Sequence, residues 1–105
     1  MTMTREELLA LHDKLTSSAK ATMEKKNHDY TSASADPFAN FRGSLFVGVH
    51  PVIGILMRTM DKFKRIQTFV ERGELKVDGE GVRDAIEDSI NYLILAYGII
   101  SEAGE

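Results

Sequence analysis

The chain contains no cysteine. A disulfide framework, a cysteine nucleophile and a thiolate metal site are therefore excluded. Tryptophan is absent too, and the two prolines are Pro37 and Pro51, so long stretches lack the residue that interrupts helices. Every wholly apolar run falls far short of the ~20 residues that span a bilayer. The polar start Thr4-Arg5-Glu6-Glu7 lacks the apolar core of a signal peptide. No membrane partner is expected, and the cytoplasm is the expected location. Basic residues are also short: 13 Lys+Arg stand against 16 Asp+Glu, a net charge of -3. Duplex nucleic acid, which needs a broad basic surface, is not an expected partner. A local basic pocket remains compatible with that balance.

What is present reads as one domain over residues 1–105. Hydrophobic residues make up 43% and charged residues 28%, an ordinary globular mixture. A domain this small buries only about two-thirds of its unfolded surface. Self-association would add burial. No internal repeat or low-complexity tract occurs. Breaks rich in Gly, Pro and Asp fall at about 28–51 and 72–81.

Three helical patterns lie around these breaks. The first runs from Thr4 to about Asn27. Thr4 and Glu7 have capping-box spacing, and Leu8, Leu11, Leu15, Ala19 and Met23 follow the helical period. The second runs from Pro51, suited to a first helical position, to about Arg72. Gly73 is its stop, and Ile53, Leu56, Met60, Phe63 and Val70 form its stripe. The third runs from about Gly79 to Ser101, with Asp78 as a candidate cap. Its stripe is Val82, Ile86, Ile90, Leu93, Tyr97 and Ile100. Residues 39–46 could add a short helix. No alternating run suggests a sheet, so the expected class is all-α.

From Tyr92 to Ile100 the third pattern is apolar on every side. Such a helix must be buried on every side, which three helices in one chain can hardly achieve. A homo-oligomer, most simply a dimer, is expected. The alternative is that the segment around 28–50 covers the extra face.

Three groups of residues could carry chemistry. Glu80, Asp84, Asp88 and Asn91 share one face of the third helix. Converging carboxylates suit Mg²⁺, a hard cation; the alternative is a solvated face. Arg58, Lys62 and Arg65 share a face of the second helix, with Asp61 beside them. Arg offers a planar fork to phosphate oxygens and Lys a compact charge. The alternative is an ordinary wet face. Between the helices, Tyr30, Phe38 and Phe41 are large aromatics in an otherwise small, polar segment. They could plug the core or stack on a nucleobase, with Asn27, Asp29, Asn40 and Arg42 reading base edges or phosphates. His12, His28 and His50 have no metal-ligand spacing, and no Gly-rich phosphate loop occurs.

The run Lys26-Asn27-His28-Asp29-Tyr30, then Asp36-Pro37-Phe38-Ala39-Asn40-Phe41, resembles the phage family called nucleotide modification associated domain, a MazG-like helical group. So do the run from Gly54 to Ile66, which contains Arg58-Thr59-Met60-Asp61-Lys62, and the third-helix set Glu80, Asp84, Asp88, Asn91 and Tyr92. The resemblance covers about residues 20–100. It implies a MazG-like antiparallel bundle, phage or prophage origin and a link to nucleotides. MazG-type pyrophosphohydrolases hold Mg²⁺ between a Glu-x-x-Glu helix and a second acidic helix. Here the facing position reads Arg58-x-x-Asp61-Lys62-x-x-Arg65, one acid amid three cations. Cations raise the cost of placing Mg²⁺ there and favour holding phosphate directly.

The leading expectation is a small nucleotide-binding protein, located in the host cytoplasm if phage-encoded. Lys26, Arg58, Lys62 and Arg65 would hold phosphates. Asp29, Tyr30, Phe38, Asn40, Phe41 and Asn91 would meet base or sugar. One use would be sequestering a nucleotide signal made by a host defence system. The second expectation is a Mg²⁺-dependent nucleoside triphosphate pyrophosphohydrolase, with Asp61, Glu80, Asp84 and Asp88 on the metal. The third is a protein that blocks a host protein through its aromatic loop.

Overall fold

Each helix begins where the sequence can satisfy free backbone N–H groups. The computed structural model describes residues 2–31, 36–74 and 81–104, except the side chains of 28–31. Helix α1 spans Arg5–Thr31. Its capping box is formed: Glu7 N–H donates to Thr4 Oγ1 at 3.1 Å, and Thr4 N–H donates to Glu7 Oε1 at 3.3 Å. Helix α2 spans Pro51–Arg72. His50 is its cap, with Nδ1 accepting from Val52 N–H at 3.1 Å, and Gly73 ends it at φ 79°. That left-handed conformation is one glycine adopts without strain. Helix α3 spans Val82–Glu102. Asp84 accepts from Gly81 N–H at 3.0 Å, stabilising the first turn. The candidate cap Asp78 lies outside the described residues. Between α1 and α2, Ala39–Val47 form a 3₁₀ helix that ends at Gly48, φ 73°. The described residues are all helix and connection, an all-α fold, and no single helix among them is long and apolar enough to cross a membrane.

Helix α3 occupies the middle. Ile55 of α2 clusters with Ala96 and Ile99, while two turns later Lys62 meets Asp88. The two helices therefore run antiparallel. Ala85, Ser89 and Ala96 are buried on α3, and such small side chains let the helices approach closely. Two buried hydroxyls on these helices bond their own preceding turn: Thr59 Oγ1 donates to the Ile55 carbonyl and Ser89 Oγ to the Ala85 carbonyl. Neither is left unpaired in the core.

Helix α1 packs on α3 and the 3₁₀ helix. The buried Asn91 side chain donates to the Ala19 carbonyl at 2.9 Å, and Ala19 itself is 1% exposed. The 3₁₀ helix is held by a clamp. Arg42 donates to Asp36 at 2.6 Å and to Glu102 at 2.9 Å, with its guanidinium over the Phe38 ring. Phe38 lies so close to Gly98 that a Cβ there would meet the ring at 2.7 Å.

The predicted apolar stripes of α2 and α3 are only partly the core. Ile53, Leu56, Met60, Phe63 and Val70 are all exposed, as are Leu93, Tyr97 and Ile100. At about 100° per residue, Leu56, Met60 and Phe63 lie on one flank of α2. Arg58 and Arg65 lie on the other, with Ile55 and Thr59 between them against α3. The sequence stripe marks one apolar flank, and the chain packs α3 against its neighbour.

Candidate functional site

The cationic flank of α2, the inward side of α1 and the 3₁₀ helix enclose a cleft of about 240 Å³ over α3. Its walls are Met23, Asn27, Pro37, Phe41, Tyr92 and Leu95, and its polar groups are Lys26, Asn40, Arg58, Asp88 and Asn91. Of the ten residues expected to bind phosphate, base or sugar, Lys26, Asn40, Phe41, Arg58 and Asn91 come together here. Lys62 adjoins them through Asp88.

Asp88 organises the charge. Lys62 Nζ lies 3.0 Å from its carboxylate, and Lys26 Nζ lies 3.9 Å away from the opposite side. The Lys62 and Asp88 side chains are 13% and 17% exposed. Charges this sheltered are held in place because each offsets the other's lost hydration. Arg58 stacks over the Phe41 ring at 5.1 Å, a cation–π contact that fixes the guanidinium at the mouth. Two lysines thus meet one carboxylate with Arg58 beside them on the Phe41 ring, a local charge of about +2 in a chain whose net charge is -3. A concave, partly apolar wall strengthens the pull of such a patch on an anion.

The other expected residues lie elsewhere. Arg65 is paired with Asp61 at 3.5 Å, one turn back on the exposed side of α2. Asp84 faces solvent and caps α3. Phe38 is committed to Gly98 and Arg42, and Arg42 to its clamp, so neither reads a base in this arrangement. The side chains of Asp29 and Tyr30, and all of Glu80, lie outside the described residues. Among the described residues no three His, Asp or Glu side chains approach closely enough to hold a metal ion. Asp84 and Asp88 share a face of α3 and Asp61 was expected to join them from α2, yet each is engaged in a separate local contact.

Met23, Pro37 and Leu95 were not anticipated as cleft residues. Met23 sits one turn before Lys26-Asn27, and Leu95 one turn after Asn91, so both spacings carried the signal. Pro37 is fixed by Asn27, whose Nδ2 donates to its carbonyl at 3.0 Å. A second, apolar hollow of about 610 Å³ shares Met23, Asn27, Pro37 and Leu95 with the first and continues along Phe38, Ile94 and Gly98.

The clamp beside the cleft shifts the titration of both its charged partners. The Arg42 guanidinium, followed by the Phe38 backbone N–H, holds the Asp36 carboxyl below the ordinary carboxylate value. Arg42 is correspondingly raised by its bonds to Asp36 and then Glu102. Asp36 is thereby ionised at neutral pH, and the 3₁₀ helix that carries Asn40 and Phe41 is pinned to the end of α3. Compared with known protein families, curated proteins and solved structures, the chain matches none.

Proposed function

We propose that this cleft holds a phosphorylated nucleotide. Lys26, Arg58 and Lys62 take the phosphate oxygens, and Phe41 and Tyr92 offer flat surfaces to base or sugar. The observation that carries this reading is the meeting of a lysine from each of two helices at a single carboxylate, with Arg58 stacked on Phe41 beside them, in a concavity walled by aromatics. Phosphate matches the guanidinium fork and the ammonium point charges. The neighbouring apolar hollow supplies room for the rest of the ligand. Asp29 and Tyr30 belong to the same proposal, as residues just beyond Lys26 and Asn27 in sequence. Arg65 is a peripheral member, one turn out along α2.

Binding is favoured over hydrolysis by the carboxylates. A Mg²⁺ site would need Asp61, Asp84 and Asp88 to turn toward one point, with Glu80 added. Asp61 pairs with Arg65, Asp84 caps α3, and Asp88 carries two lysines. The donor set therefore does not fit the ion as it stands. The MazG-like phage family remains the resemblance that motivates a nucleotide, with sequestration of a defence signal in the host cytoplasm as the biological use. We further take the protein to be a homo-oligomer, while the cleft is built from one chain.

Calorimetry against nucleoside mono- and triphosphates and cyclic dinucleotides tests the reading. Binding of at least one class is expected. Arg58→Ala weakens it about tenfold or more, the loss of one charge-assisted contact of at least ~1.4 kcal/mol. Silence across the panel would end the proposal.

A further inference from the structure

We infer that the bound molecule is recognised as a phosphate monoester of a flat apolar body, with the edges of the base left unread. This rests on the nucleotide reading of the cleft and narrows it to a ligand class: nucleoside monophosphates whatever the base, and aryl phosphates with them.

The apolar hollow decides the point. Its walls are Met23, Pro37, Phe38, Ile94, Leu95 and Gly98, and its charged residues, Lys20 and Glu24, are exposed and opposite in sign. Met23, Asn27, Pro37 and Leu95 line the cleft as well, so a cationic space and an apolar one adjoin. Along α3, Asp88 marks the cationic end. Leu95 lies two turns on, about 10 Å away at 1.5 Å per residue. A charged head joined to an extended apolar body fits that order of surfaces. The wall is preformed: Gly98 lets the Phe38 ring lie against α3, and the Arg42 guanidinium lies over the ring.

The groups suited to reading a base are already engaged within the fold. Asn27 donates to the Pro37 carbonyl, Asn91 to the Ala19 carbonyl, and Arg42 to Asp36 and Glu102. Asn40 lines the cleft and not the hollow. Among the described residues, the hollow's apolar side chains therefore offer a base a surface and no fresh pattern of donors and acceptors. Stacking is tolerant of base identity, whereas a site built on hydrogen bonds rejects a ligand that lacks them by orders of magnitude. The head is set by charge. Lys26, Lys62 and Arg58 with Asp88 leave about +2, and a phosphate monoester carries about −1.5 to −2 at neutral pH.

Calorimetry on the full chain with 2-naphthyl phosphate and the four common ribonucleoside 5′-monophosphates tests this. The naphthyl ester should bind at least tenfold more tightly than methyl phosphate or 2-naphthol. AMP and GMP differ in edge groups and little in shape, as do CMP and UMP, so each pair should agree within tenfold. Ile94→Asp, on the half-exposed edge of the hollow, should weaken the naphthyl ester tenfold or more, and Leu9→Glu on the exposed side of α1 should not. If Ile94→Asp does not fold, iodide quenching on wild type decides the placement: the bound ring should be shielded, and quenching as in free solution overturns the inference. Silence from all the nucleotides would end the cleft reading and this inference together. Nucleotide binding without binding of the naphthyl ester, an ester no tighter than methyl phosphate, a gap above tenfold within either pair, or an unaltered affinity in Ile94→Asp would overturn this inference alone.

Discussion

Gly98 shows how one missing methyl can position a cleft. A glycine inside a helix costs roughly 1 kcal/mol relative to alanine, and ordinarily Gly98→Ala would recover it. Here the added Cβ would meet the Phe38 ring at 2.7 Å. Gly98→Ala is therefore expected to lower the melting temperature in the wild type and to raise it in a Phe38→Ala background. The change of sign in a double-mutant cycle followed by thermal denaturation checks the contact. The same sign in both backgrounds would contradict it.

The Asp36–Arg42 pair makes a second prediction at this scale. Arg42 lowers the Asp36 pKa in the folded chain. A carboxylate with a depressed folded value contributes stability above its unfolded value, about 3.9, and loses it as pH falls through the folded value. The melting difference between wild type and Asp36→Asn should be full at neutral pH and close as the pH falls below the ordinary carboxylate range. A difference that persists unchanged into acid would show that the pair does not act through the ionised carboxyl.

At the scale of elements, the helix ends were legible because their causes are local. Thr4 with Glu7, Pro51 and Gly73 act within one turn, and the structure uses each as the spacing predicts. His50 was legible only as the residue before Pro51. Its role as a side-chain cap depends on a ring nitrogen reaching Val52 N–H. His50→Ala should cost about 0.5–1 kcal/mol and lower the melting temperature by a few degrees in a domain of this size. An unchanged melting curve would contradict the cap.

The face of α2 that meets α3 was not legible. The strong stripe Ile53, Leu56, Met60, Phe63 and Val70 attracts the reading, yet Ile55 and Thr59 are the residues buried to 1%. Periodicity shows that a flank is apolar without showing which neighbour covers it. Thr59 hides a polar atom by bonding its own helix, which no pattern of residue types displays. The cleft was half legible for the same reason. Arg58, Lys62 and Asp88 could be placed on facing flanks from spacing, whereas the separate engagements of Asp61 and Asp84 are products of local geometry.

Taken as a whole molecule, the chain has two unlike sides. One side of the α2–α3 pair carries the cations, the aromatics and the hollow, and the other exposes Leu56, Met60, Phe63, Leu93, Tyr97 and Ile100. The division explains why a net charge of -3 coexists with a locally positive cleft. It also predicts one ligand per chain, since each cleft is assembled from α1, the 3₁₀ helix, α2 and α3 of a single copy. The most direct test compares a nucleoside triphosphate with its parent nucleoside, by calorimetry, on wild type and on Arg58→Ala with Lys62→Ala. The triphosphate is expected to bind wild type at least tenfold more tightly than the nucleoside, and the double substitution is expected to erase that difference. Equal affinities for the two ligands on wild type, or no binding of either, would contradict a phosphate held by these cations.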